Sequence, residues 1–117
     1  MAAGATPTIY DPKTLAQVSN FSTTPNTTVY TAPVGEAGVK VERIVITNKT
    51  GSAATCTLKH FDGSIENAVL NAASVPGDGY PVVLELGIYL DASDVIRGNA
   101  GTATALDIGV YGIEMKD

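Results

Sequence analysis

From Val29 to Met115 the apolar side chains recur with a period of two rather than with the helical period. Such alternation puts successive side chains on opposite faces of an extended chain, so this region is committed to strands that bury one face. Clusters of Gly, Pro, Asn, Asp and Ser break the alternation about every eight to twelve residues, the rhythm of antiparallel all-β proteins. The arrangement predicts an all-β fold: a single antiparallel β-sandwich, jelly-roll-like, over residues 28–117, preceded by an N-terminal extended arm or strap over residues 1–27.

Individual elements follow from the phase of the pattern. A short strand is expected at Thr28–Ala32, stopping at Pro33, which has no amide hydrogen for a ladder. Val39–Asn48 is the strongest element, but Val39 and Val41 share one face while Ile44 and Ile46 share the other. That change of phase points to a bulge at Glu42–Arg43 or to a strand buried on both faces, the bulge being favoured. Ala53–Phe61 follows the "NKTGSA" turn, with Cys56 and Leu58 inside. A short strand is expected at Ala68–Asn71, and then Val82–Leu86, with Val82, Leu84 and Leu86 on one face and Ile88–Leu90 continuing it. Val95–Gly98 and Thr104–Met115 complete the set; in the last, Leu106, Ile108 and Val110 face one way and Asp107, Tyr111 and Ile113 the other.

Residues 1–27 contrast with this. They hold Pro7, Pro12 and Pro25 and no sustained alternation. Within "YDPKTLAQVSN", Asp11 suits a helix N-cap and Pro12 the first helical position, with Leu15 and Val18 three apart, so a short helix is expected. The apolar residues Ile9, Tyr10, Leu15, Val18 and Phe21 need cover, either from the chain's own domain or from a neighbouring subunit. Gly109 and Gly112, inside the last strand, mark either a close approach by a partner or a local twist or bulge.

Charge narrows the function classes. Only 16% of the 117 residues are charged, the net charge is −5, and the seven Lys and Arg are scattered. Nucleic acid and anionic membrane surfaces are therefore poor partners, since both need clustered cations. No apolar run approaches a membrane span, and "MAAGATPTIYDPK" has neither the basic start nor the apolar run of a secretory signal. One cysteine, Cys56, makes no internal disulfide.

The inventory for chemistry is thin, and neither catalytic residues nor a cofactor is expected. His60 is the one neutral-pH acid or base, on a strand with no nucleophile assigned to it by spacing, so a packing or surface role is expected. Cys56 and His60 alone do not make a zinc set. Asp91 and Asp94 with backbone carbonyls are a conceivable calcium loop, but turn aspartates bond their own backbone without metal, so no metal is expected either. "GDG" and "GNAG" lack the lysine and strand-to-helix context of a phosphate loop. Sequons at Asn20, Asn26 and Asn48 are discounted as chance matches in a Thr-rich chain. Five tyrosines, without tryptophan, keep a glycan-binding module in view.

The segments "VYTAPVG", "VERIVITNKTGSAATCTL", "LELGIYLDASDVIRG" and "IGVYGIEM" resemble a group of small structural proteins of tailed-bacteriophage virions, which serve as capsid decoration or as tail and neck accessories. The shared pattern is a Tyr-Thr-x-Pro-x-Gly opening, a strand ending in Asn before a Ser/Ala/Thr turn, a Leu-x-x-x-Asp-x-Ile hairpin and a Gly-Ile/Val-Glu finish, spanning Val29 to Met115. The chain departs from it at "GEAGVKV", where a basic residue is usual soon after the glycine, and at "SIEN" after Phe61. The resemblance implies a non-enzymatic virion protein assembled in the host cytoplasm. Its implied partners are the major capsid protein or other virion proteins and further copies of itself, a trimer suiting threefold joints of a shell. On that reading Ile9, Tyr10, Leu15, Val18, Phe21, Gly109 and Gly112 are the candidate interface residues.

Overall fold

The computed structural model describes residues 9–34 and 38–116. Its eight strands are β1 (Ile9–Val18), β2 (Thr27–Thr31), β3 (Gly38–Asn48), β4 (Ala54–Phe61), β5 (Glu66–Val75), β6 (Val82–Leu90), β7 (Val95–Ala100) and β8 (Leu106–Lys116). They form two four-stranded sheets, ordered β1-β8-β3-β6 and β2-β7-β4-β5. Every pairing is antiparallel. The pairs β1–β8, β2–β7, β3–β6 and β4–β5 are nested one inside the next, so the chain runs as a doubled ribbon whose tip is β4–β5.

One core joins the two sheets. The alternate residues Val39, Val41, Ile44 and Ile46 of β3 and Leu106, Ile108 and Val110 of β8 meet Cys56 and Leu58 of β4 and Ile96 of β7, all essentially without solvent exposure. The bulge expected at Glu42–Arg43 is present: pairing of β3 with both β6 and β8 shifts between Val41 and Arg43. It lets Val41 and Ile44 point to the same core although they are three apart.

The expected short helix after Asp11 is corrected by the structure. Ile9–Val18 is a strand paired with β8, and Phe21, beyond it, is fully buried in the core. The register shifts between Thr14 and Ala16, leaving Leu15 as an extra residue. A bulge of this kind turns Leu15, Ala16 and Val18 together toward the core, a spacing that imitates a helical face. Residues 9–27 of the segment read as an arm thus supply an edge strand and a crossing between sheets; residues 1–8 lie outside the described residues. In that crossing the Phe21 amide donates to the Leu106 carbonyl of β8 at 2.8 Å, and the Ser22 carbonyl accepts from Ala100 of β7 at 2.8 Å.

The strand expected at Ala68–Asn71 is longer, reaching from Glu66 to Val75. Its pairing with β4 shifts twice around Leu58, and Ala72 has a positive φ of 49°, so no single alternation runs through it.

Candidate interaction surface

The register defines the outward face of the sheet β1-β8-β3-β6. Residues directly opposite one another share a face, so one row across it reads Pro12, Ile113, Lys40, Tyr89 and the next Thr14, Tyr111, Arg43, Glu85. Tyr10 and Tyr89 stand 60% and 62% exposed on this face, with Val83 at 46%. Lys40 Nζ lies 5.9 Å from the Tyr89 ring centroid, and Arg43 Nε donates to Glu85 Oε1 at 3.0 Å.

Tyr111 divides the face into two shallow grooves. Its ring lies against Gly109, where a β-carbon would strike it, so that glycine is needed for the ring to lie along its own strand. The groove on one side, about 290 Å³, is lined by Gln17, Ser19, Val45, Thr47 and Asp107. The groove on the other, about 320 Å³, is lined by Pro12, Lys13, Glu42, Arg43 and Glu85. Asp107 Oδ1 accepts the Asn20 amide at 3.0 Å and pairs with Lys49 Nζ at 3.0 Å. These two partners, the amide first, hold its carboxyl below the usual carboxylate range. The groove thus offers amide, hydroxyl and carboxylate groups beside an aromatic ring, the Asp107 carboxylate held in place by its two partners.

The outward face of the second sheet carries charges that satisfy each other. The Arg97 guanidinium stacks 3.8 Å from the Phe61 ring centroid and bonds Glu66 Oε2 at 2.6 Å, with Lys59 3.5 Å from the same carboxylate. The Arg97 hydrogen bond is the main reason that the Glu66 carboxyl is held below its ordinary range.

His60, expected to pack or lie at the surface, is tied to a distant turn: its Nε2 is 2.9 Å from Asp94 Oδ2, which also accepts the Asp91 amide at 3.1 Å. Asp94 therefore spends its carboxylate on a side chain and a backbone group. Among the described residues no group of three or more His, Cys, Asp or Glu is placed to hold a metal ion. Burial pushes the Cys56 thiol up to about 11, which keeps it protonated and unreactive.

Apart from Gly109, which lies against the Tyr111 ring of its own strand, the candidate interface residues separate into three groups. Ile9 and Tyr10 are exposed, at 50% and 60%. Leu15 and Val18 are half-buried against the chain's own core and Phe21 lies wholly inside it, so Phe21 offers nothing to a neighbour. Gly112 is buried, and a β-carbon there would fall on the Lys40 carbonyl of β3 and against Leu15; the close approach that its sequence position suggested is made within the chain. Sequence reading passed over Val83 and Tyr89, yet the signal was available, because placing Val82, Leu84 and Leu86 inside sends residues 83, 85, 87 and 89 outward. No helix among the described residues is long and apolar enough to cross a membrane. Comparison of the chain with family models, with curated proteins and with solved structures finds no match.

Proposed function

We propose that this chain is a non-enzymatic structural protein of a tailed-bacteriophage virion, most specifically a capsid decoration protein that lies across joints of the major capsid protein. The observation that carries the reading is the strand order. Four nested antiparallel pairs that alternate between two sheets are compatible with an eight-stranded jelly roll, an architecture shared by viral capsid and lectin domains, and so support the reading. The proposed sandwich would present to the shell the outward face with Tyr10 and Tyr89, where many weak contacts multiplied by copy number suffice without a deep pocket.

Quantitative mass spectrometry of purified particles tests it. About one chain per capsid subunit, or one trimer per local threefold, is the expected ratio. A few copies per particle would reject decoration in favour of a tail, neck or baseplate accessory. Because Ile9–Val18 is a strand of the sheet, the arm is tested by truncation before Ile9 and not by removing the whole of residues 1–27.

A second reading, a host-glycan binding module, is favoured by the groove where Gln17, Ser19, Thr47 and Asp107 surround Tyr111. Oligosaccharide titration followed through the Tyr111 ring resonances tests it, and unchanged resonances across a panel of neutral and acidic glycans would remove it.

A further inference from the structure

Two sheets have four edge strands, and in this molecule three of them are protected against pairing with another chain. β1 carries Pro12, which lacks a donor, the charged Lys13 and the bulge at Leu15. β2 is only five residues long. β5 has two register shifts and left-handed backbone at Ala72. β6 is different: nine residues, Val-Val-Leu-Glu-Leu-Gly-Ile-Tyr-Leu, with no proline, no lysine and one charge, at Glu85. Its side chains alternate strictly between half-buried and exposed as far as Tyr89, and Leu90 is buried, although β6 bulges against β3 between Glu85 and Ile88. No strand among the described residues pairs with its outer edge.

We propose that the β6 edge pairs antiparallel with β6 of a second copy of this chain, about a twofold axis through Leu86. The occupant follows from self-complementarity. A twofold that continues the sheet keeps each residue opposite one of the same face, so the axis must pass through a residue pair. Leu86 is the midpoint of Val82–Leu90, and only that register overlaps the whole strand. It sets Val83 against the partner's Tyr89, a β-branched residue against an aromatic one, and both are exposed in the single chain. It also sets Glu85 against the partner's Gly87, whereas an axis at Glu85 would oppose two carboxylates. Outside the pairing, Glu85 keeps its own Arg43 at 3.0 Å. The result is one continuous eight-stranded sheet with two guarded β1 strands at its ends.

Gly87 gives a test by sign. A β-carbon there meets nothing within 4 Å, so both Gly87→Glu and Gly87→Lys fit the single chain. Sedimentation equilibrium of the wild-type chain should show a monomer–dimer equilibrium. Gly87→Glu, which brings a carboxylate to the partner's Glu85 twice per dimer, should weaken it about fivefold, and Gly87→Lys should strengthen it by a similar factor. The register is read by oxidation. A mixture of Val83→Cys and Tyr89→Cys chains should cross-link to each other, while either alone should not, and native Cys56 is buried and silent. A monomer at all concentrations overturns the proposal. A dimer indifferent to both Gly87 variants, or cross-linked equally by Val83→Cys alone, overturns it too.

Discussion

At one end of the two sheets the buried polar group is neutral Asn48; at the other the buried groups are the carboxylates of Glu114 and Asp94. Asn48 is satisfied almost wholly by nearby backbone. Its Nδ2 donates to the Ser52 carbonyl at 2.8 Å and to the Val75 carbonyl at 3.1 Å, and its Oδ1 accepts the Thr50 amide at 2.9 Å and the Thr50 hydroxyl at 2.8 Å. It thereby ties the β3–β4 turn to the end of β5. Glu114 depends on long, half-exposed cations, with Lys13 Nζ at 3.0 Å and Lys116 Nζ at 3.6 Å, and Asp94 is held by His60 and the Asp91 amide. The difference teaches that the first end is a specified joint, each donor and acceptor matched, while the second combines the salt-sensitive lysine pairs of Glu114 with a His60–Asp94 hydrogen bond.

The largest effect is expected at the neutral end. Asn48→Asp replaces a donor aimed at two carbonyls with an acceptor, in a site with no solvent, and should cost about 3 kcal/mol or more in urea unfolding. A loss under 1 kcal/mol would mean that the turn is not held from this side chain. At the other end, Glu114→Ala leaves Lys13 and Lys116 without their shared partner and should cost about 1–2 kcal/mol, shrinking in molar salt; a cost indifferent to salt would show that packing and not charge is lost.

Acid distinguishes the groups further. Asp107, Glu66 and Asp62 all have carboxyls held below the ordinary range, Asp62 chiefly by the amides of Ile65 and Ser64. With folded-state values below unfolded ones, the unfolded chain takes up protons first. The stability they contribute is fully present above the ordinary carboxylate range, about pH 4, and drains away as pH falls through the folded values. Asp107→Asn should flatten that acid limb by lowering the neutral-pH plateau toward the acid value; an unchanged limb would assign acid sensitivity elsewhere. The smallest expected effect belongs to Ala72→Gly. It relieves a left-handed φ of 49° and should add roughly 0.5–1 kcal/mol by thermal unfolding, a gain absent if the bulge itself is the strain.

β2 to β4 and β6 to β8 were legible in the sequence because each buries one face, and even the β3 bulge showed as a break of phase between Val41 and Ile44; β5 was legible only in part, at Ala68–Asn71, because no single alternation runs through it. β1 was not, because the bulge at Leu15 gathers three apolar residues as a helix would, and nothing local reveals that β8, about a hundred residues on, supplies the ladder. Pro12 was read as a helix start, though an edge strand tolerates it as well. The pairs that close the ends were equally hidden. His60 and Asp94 are 34 positions apart, and Lys13 and Glu114 are 101 apart. Exposure of Val83 and Tyr89 followed from the alternation of β6, whereas the bareness of that edge followed from topology alone.

The nested pairing has a consequence for the order of events during synthesis. β1, made before every other described strand, has as its sheet neighbour β8, the last of them, and β3 takes one of its two neighbours from the same strand. The ribbon can zip from its β4–β5 tip, but β1 and one edge of β3 wait with open ladders until β8 arrives. Closure over so long a loop makes folding slow, and the waiting strands are exposed to other nascent chains. A chain shortened before Leu106 would never leave that state: Val39 to Ile46 would lie open on one flank, and β1 would have nothing to pair with.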